Sequence, residues 1–256
     1  MSSNDISPPK AQVNRPRRTR LQNAFREILK APITAKFGML VILTYGFVAI
    51  FAPFLTPYSE TEIVGPEFDV WGNEFILGTD GLGRDMLTRL LFGARNTVGI
   101  AFITTLLAFV IGGIMGLLSA IYTGWFDQVA SRVVDVLMAI PQLIFALMLL
   151  TIFGTSIPIL IIVIATLDAT RIFRVTRAVS LNVVVLDYFE AARLRGERIF
   201  WLCIREILPN ITAPLLAEFG LRFCFVFLMI AALSFLGLGI QPPTADWGSM
   251  VRENAV

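Results

Sequence analysis

An all-α bundle of membrane-spanning helices is the fold class this sequence predicts, and three observations predict it. Hydrophobic residues make up 56% of the 256 residues and charged residues only 16%, against roughly 45–50% and about 25% in ordinary soluble domains. A compact soluble fold of this size could not bury that much apolar surface, so lipid is the expected solvent. Long charge-free runs alternate with polar stretches, and the basic residues fall in two blocks. Seven lie between Arg15 and Lys36, and seven Arg lie between Arg171 and Arg205.

The first 36 residues are polar, with a basic cluster at Arg15, Arg17, Arg18 and Arg20, and read as a cytoplasmic tail. The apolar stretch 37–56 is the first span. A signal peptide is the rival reading, but the stretch is too long for one and no small-residue cleavage site follows. Residues 57–96 form a polar connector broken by Pro57, Pro66, Gly72, Gly78, Gly81 and Gly83. Within it, Met86, Leu87, Leu90 and Leu91 fit a short amphipathic surface helix or, equally, an ordinary packed connector.

Residues 97–256 form the core domain. Its second span covers about 97–123. The charge-free run Val136–Leu167 is too long for one crossing, because 32 helical residues extend about 48 Å. Gly154-Thr155-Ser156-Ile157-Pro158 divides it into spans over about 133–153 and 157–173, placing Asp168 and Arg171 at the end of the fourth. A fifth span covers 213–240, ending at Gly237, Gly239, Pro242 and Pro243, with Glu218 and Arg222 spaced to pair on one face. Gly112, Gly113 and Gly116 suit close helix packing. Four crossings between the two basic blocks place both in the cytoplasm and the 57–96 connector outside.

Several chemistries are excluded or disfavoured. The chain has no His, the commonest general base and transition-metal ligand. None of its three lysines, Lys10, Lys30 and Lys36, follows a Gly, so there is no phosphate-cradling GxxxxGK[ST] loop. Cys203 and Cys224 lack metal-site spacing and read as buried thiols. A membrane enzyme lacks a nucleophile motif here, since helical Ser and Thr usually bond their own backbone. An ion-coupled carrier or channel would place ionisable groups near mid-membrane, and the interiors of the first three spans carry none.

The stretch 174–212 is the informative one. Asp187-Tyr188-Phe189-Glu190-Ala191-Ala192-Arg193-Leu194-Arg195-Gly196 reads as a short Ala-rich helix closed by a Gly able to take positive φ, then a second helix ending ahead of Pro209. Small side chains on such a projecting helix let a partner's groove come close. Glu190-Ala191-Ala192, Gly196 and Leu208-Pro209 match the EAA loop of ATP-binding cassette importer permeases. LGTDGLGRDMLTRLLFGAR (Leu77–Arg95), AIPQL (Ala139–Leu143), LPNITAPL (Leu208–Leu215) and LSFLGLGIQPPTADWG (Leu233–Gly248) resemble the dipeptide, oligopeptide and nickel branch of that family.

The resemblance implies a type I importer permease fold in the bacterial inner membrane, with a cytoplasmic N-terminus. It implies one half of a pathway for small peptides or related solutes such as nickel or opines. The implied partners are a second permease subunit, two ATPase subunits that bind ATP and Mg, and a periplasmic or lipid-anchored solute-binding protein. No metal, nucleic acid or cofactor is expected on this chain. Glu190, Ala191, Ala192 and Gly196, with Arg193 and Arg195, are the implied contact and turn residues for the ATPase. Glu206 departs from the apolar residue or His expected in its place. Family members continue past Trp247-Gly248 into one more span, so a sixth, absent from these 256 residues, is expected.

Overall fold

A computed structural model of the chain describes residues 31–72 and 74–255. Most of the expected tail over 1–36, including its basic cluster, lies outside the described residues. The chain divides into two compact units at Thr44/Tyr45, and α1 (Ile33–Leu55) begins in the first and ends in the second. The second unit contains α2 (Met86–Ile121), α3 (Trp125–Ala139), α4 (Gln142–Phe153), α5 (Ile157–Val184), α6 (Asp187–Leu194), α7 (Ile199–Phe235) and α8 (Trp247–Glu253). Among the described residues there is no strand, only two isolated bridges within the connector.

By length and apolarity α1, α2 and α7 qualify as membrane spans, and the pair α3–α4 qualifies as a fourth if counted together. Three expectations need correction. The separate surface helix before the second span does not exist. Met86 to Leu91 are the first turns of one 36-residue helix, about 54 Å long and so reaching well beyond a roughly 30 Å hydrocarbon layer. Asp85 starts it by accepting from the Thr88 N–H at 2.8 Å, and nothing between Arg95 and Thr97 stops it.

The expected third span is bent by 90° between α3 and α4. Pro141 lacks an N–H and its ring clashes with the carbonyl four residues earlier, so the helix restarts at Gln142. The expected fourth span, 157–173, continues to Val184 and carries Asp168, Arg171, Arg174 and Arg177. Its purely apolar part is confined to its first half, and Asp168 stands mid-helix rather than at an end.

α2 and α5 pack backbone to backbone at Gly112 and Gly116. A Cβ at Gly112 would overlap the Ala169 carbonyl oxygen, and one at Gly116 would sit 2.8 Å from the Phe173 carbonyl oxygen. Gly113 faces open space. The hydroxyls of Thr104 and Thr105 donate to the carbonyls of Ile100 and Ala101, both at 2.7 Å, so these polar groups cost little in an apolar helix. Leu150, Leu160, Ile164, Ile230 and Leu233 join α4, α5 and α7 in one apolar cluster. Cys203 is half-buried, but Cys224 is exposed on α7 rather than buried as expected.

The connector folds onto the ends of α2 and α8. Glu60 accepts from the Asn96 amide at 3.0 Å and from the Ala245 N–H at 2.9 Å. Asp80 accepts from the Leu82 and Arg84 backbone N–H groups, from Arg84 Nε at 2.7 Å and from Arg89. Arg89 also donates to Glu253 of α8 at 2.9 Å. Trp247 donates to the Leu90 carbonyl at 2.9 Å and stands edge-on to Tyr45 and Phe227. Gly93 is what lets the indole this close, since a Cβ there would lie 2.7 Å from it. Leu77–Arg95 and Leu233–Gly248, far apart in sequence, thus meet in one network.

Burial pushes the Asp80 carboxyl up, but the backbone donors and the two guanidiniums outweigh it and hold the group below the usual carboxylate range. The stability it contributes is complete above its unfolded value and lost as pH falls through the lower folded one. Thermal scans of the detergent-solubilised protein should show a midpoint that drops steeply only below about pH 4. Asp80→Asn should flatten that acid limb and lower the neutral-pH stability by about 3 kcal/mol, as for one broken buried pair. Gly112→Val should cost about 2 kcal/mol by overpacking, with Gly113→Ala as the unaffected control.

Candidate coupling surface

α6 is short, at eight residues, and a helix of that length is not stable on its own. Its stability comes from two inward side chains. Phe189 and Ala192, three apart and fully buried, pack against Val183, Leu202, Ile207, Ile211 and Ile121. Asp187 and Glu190 occupy the first turn and Arg193 the last, the arrangement the helix dipole favours. The end is a Schellman motif: the Gly196 N–H donates to the Arg193 carbonyl at 3.0 Å and the Glu197 N–H to the Ala192 carbonyl at 3.4 Å. Gly196 takes φ +79° there, as its sequence position predicted.

The second helix does not end ahead of Pro209. α7 runs through it by way of a π turn over Leu202–Ile207, in which the Leu208 N–H reaches back five residues to the Cys203 carbonyl. The widened turn accommodates a proline that would otherwise break the α register. The Asn210 amide donates to the Glu206 carbonyl at 2.6 Å and to the Tyr188 hydroxyl at 3.1 Å, tying α7 to α6. Glu206 itself is half-buried, and its departure from the expected residue type leaves the packing of Ile207 and Ile211 intact.

Of the six residues singled out from sequence, Glu190, Ala191, Arg193, Arg195 and Gly196 are exposed. Ala192 faces inward, so its part is to seat the helix rather than to meet a partner. Val184, Val185, Phe189, Glu190, Arg193 and Leu194 line an open cleft of about 480 Å³. Around it Leu194 is 81% exposed, and Val185 and Phe200 are each 76% exposed. Apolar residues this bare on a polar loop mark an interaction surface. Sequence reading passed over them, although their apolar character at unpaired positions was visible.

A second group of polar residues lies inside the bundle. Gln142, at the α3–α4 bend, donates to Asp168 of α5 at 2.9 Å. Arg222 of α7 stands 3.8 Å from Asp168 and 2.7 Å from Glu218 on its own helix, with the Phe225 ring 4.9 Å away. The Glu218–Arg222 pair is the one expected from spacing. Its link to Asp168 depends on the tertiary fold and was not legible.

A family model described as binding-protein-dependent transport system inner membrane component matches residues 108–256. The chain belongs to that family. It is 34% identical over 226 residues to the dipeptide transport system permease protein DppC of Haemophilus influenzae, covering 86% of this chain and 77% of that one. It is 36% identical over 223 residues to the di/tripeptide transport system permease protein DppC of Pseudomonas aeruginosa, covering 84% and 74%. It is 31% identical over 243 residues to the glutathione transport system permease protein GsiD of Pectobacterium atrosepticum, covering 92% and 79%. The chain is therefore an integral membrane component of a transport system, and the match spans α6 and its surroundings.

In this permease Phe189 is the pin that holds α6. Phe189→Ala should cost about 3 kcal/mol locally, and Gly196→Ala about 1 kcal/mol from the positive φ. Hydrogen exchange in nanodiscs should speed up over 187–200 in both variants and stay unchanged in α2.

Proposed function

We propose that this chain is one permease subunit of an ATP-binding cassette importer for small peptides, driven by ATPase subunits that dock on α6. The observation that carries the reading is α6 itself: a small-residue helix, buried on one face by Phe189 and Ala192, with Glu190, Ala191 and Arg193 outward and Leu194 bare beside them. That is the shape of a knob for a partner's cleft. ATP and Mg belong to the partner ATPases, which close around nucleotide and push the knob. A second permease completes the pathway, and a solute-binding protein delivers the solute. The loop then lies in the cytoplasm of a bacterial cell, as does the N-terminus.

Peptides are the favoured solute because the relatives named above are permeases for dipeptides, tripeptides and glutathione, all small amide-linked molecules. Nickel and opines are the related alternatives. An ion-coupled carrier remains a second reading because Asp168 and Arg222 are ionisable and buried inside the bundle. Gentle solubilisation separates the two: the importer brings ATPase subunits with it through purification, and a carrier does not.

Glu190→Lys reverses a charge at the centre of the knob. In proteoliposomes it should lower ATP-dependent dipeptide uptake by about tenfold or more, the effect of losing one contact of ~1.4 kcal/mol. Uptake at the wild-type rate in that variant would overturn the docking role.

A further inference from the structure

Arg222 is 8% exposed and Asp168 1%, both enclosed within this one chain by α4, α5 and α7. One guanidinium faces two carboxylates, in close ion-pair contact with one and hydrogen-bonded to neither. Asp168 Oδ1 lies 3.8 Å from Arg222 Nη1, beyond hydrogen-bonding reach. Glu218 Oε1 lies 2.7 Å from Arg222 Nε, but out of line for a hydrogen bond. Among the described residues Asp168 Oδ1, Arg222 Nε and Arg222 Nη1 have no hydrogen-bond partner. Buried polar atoms left open in this way are costly and call for a reason. Structural pinning alone does not supply one: at Asp80 both carboxylate oxygens accept hydrogen bonds, although Arg89 there also has two open nitrogens, whereas one oxygen of Asp168 is left open.

We propose that Arg222 is a partner-exchanging positioning residue of the transport cycle. Its guanidinium passes between Glu218 on its own helix and Asp168 on α5 as α7 shifts along α5. A guanidinium abandoned by both carboxylates is strongly unfavourable in this setting, so arrangements with Arg222 on one or the other are the low-energy ones. Two discrete arrangements of a packed element are what a switching helix requires. The ends of this device are already connected. Ile207 and Ile211 of α7 pack on Phe189 and Ala192 of α6, and Arg222 lies eleven residues further along the same helix, about 16 Å on. At the other end Asp168 holds Gln142, the first residue after the α3–α4 bend. A displacement of α6 thus reaches the bend through one continuous helix, which passes Pro214 on the way, and one exchanged ion pair. This inference rests on the coupling reading of α6.

The test uses the assembled transporter in nanodiscs, with the subunits that copurify with it. ATPase activity is measured without solute and with binding protein plus dialanine. Asp168→Asn leaves Arg222 to Glu218 and unties α7 from α5, so the solute-independent rate should rise about fivefold, the lower end of ordinary coupling. Glu218→Gln commits Arg222 to Asp168, so that rate should fall. Asp168→Glu keeps the charge and should restore wild-type behaviour. A pair that merely stabilised the bundle would lower the melting temperature of both variants and leave the solute-independent rates alike. Rates that stay at the wild-type value, or move the same way in both, overturn the proposal. Should Asp168→Asn fail to assemble, Arg222→Lys decides: it keeps the charge but loses the planar fork, and a wild-type solute-independent rate in it also overturns the proposal. Glu190→Lys, run alongside, reports on the docking reading separately. If it abolishes stimulation while the bundle variants behave as wild type, docking stands and partner exchange falls.

Discussion

The approach of α2 to α5 at Gly112 and Gly116 is the constraint on which the rest of the bundle depends. In hydrocarbon there is little hydrophobic force to drive one apolar helix against another, so association relies on close van der Waals contact and on small residues that permit it. Gly112 brings the α2 backbone against the Ala169 carbonyl and the Ile172 side chain, and Gly116, one turn on, against Phe173 and Thr176. That contact fixes where α5 lies. It therefore fixes where Asp168 meets α7, and where Val184 delivers the chain to α6.

The α6 loop follows from the same logic at smaller scale. A helix of eight residues exists only because a neighbour holds it. Phe189 and Ala192 give it a buried edge, the Schellman turn at Gly196 closes it, and the Tyr188–Asn210 hydrogen bond joins it to α7. The small residues divide their work: Ala192 is small because α7 is close, whereas Ala191 is small on the open side. Only the inner of the two alanines has its size set by packing within the chain.

What could be read from sequence divides along a physical line. Apolar periodicity, helix-ending glycines and local spacing were legible, so the short helix closed at Gly196, the stop at Gly237, and the Glu218–Arg222 pair came out as expected, while α1 runs Ile33–Leu55 where 37–56 was expected. Geometry that depends on a backbone defect was not. Pro141 sits in an unbroken apolar run, and hydropathy does not register that it turns the axis by 90°. Pro209 looked like a terminator because local rules do not anticipate a π turn placed ahead of it. Long-range polar partners were invisible as well. Nothing in the neighbourhood of Asp80 points to Glu253, and nothing around Asp168 points to Gln142.

The distribution of ion pairs carries the argument one step further. In the connector and the bundle several charges pair within the chain: Asp80 with Arg84 and Arg89, Asp127 with Arg177, Asp135 with Arg174. In the α6 loop such pairs are sparse. Arg195 has only a weak contact to Glu197 at 4.0 Å, and among the described residues Arg193, Arg198 and Arg205 have no carboxylate within ion-pair distance. Unmatched guanidiniums in water add little to stability, so folding does not account for these three. Set beside the bare Leu194 and Phe200, they form a surface that is both apolar and cationic. Glu190 and Asp187, both exposed in the first turn of α6, set two carboxylates beside that cationic surface, a mixture of charge that a uniformly anionic membrane face does not complement.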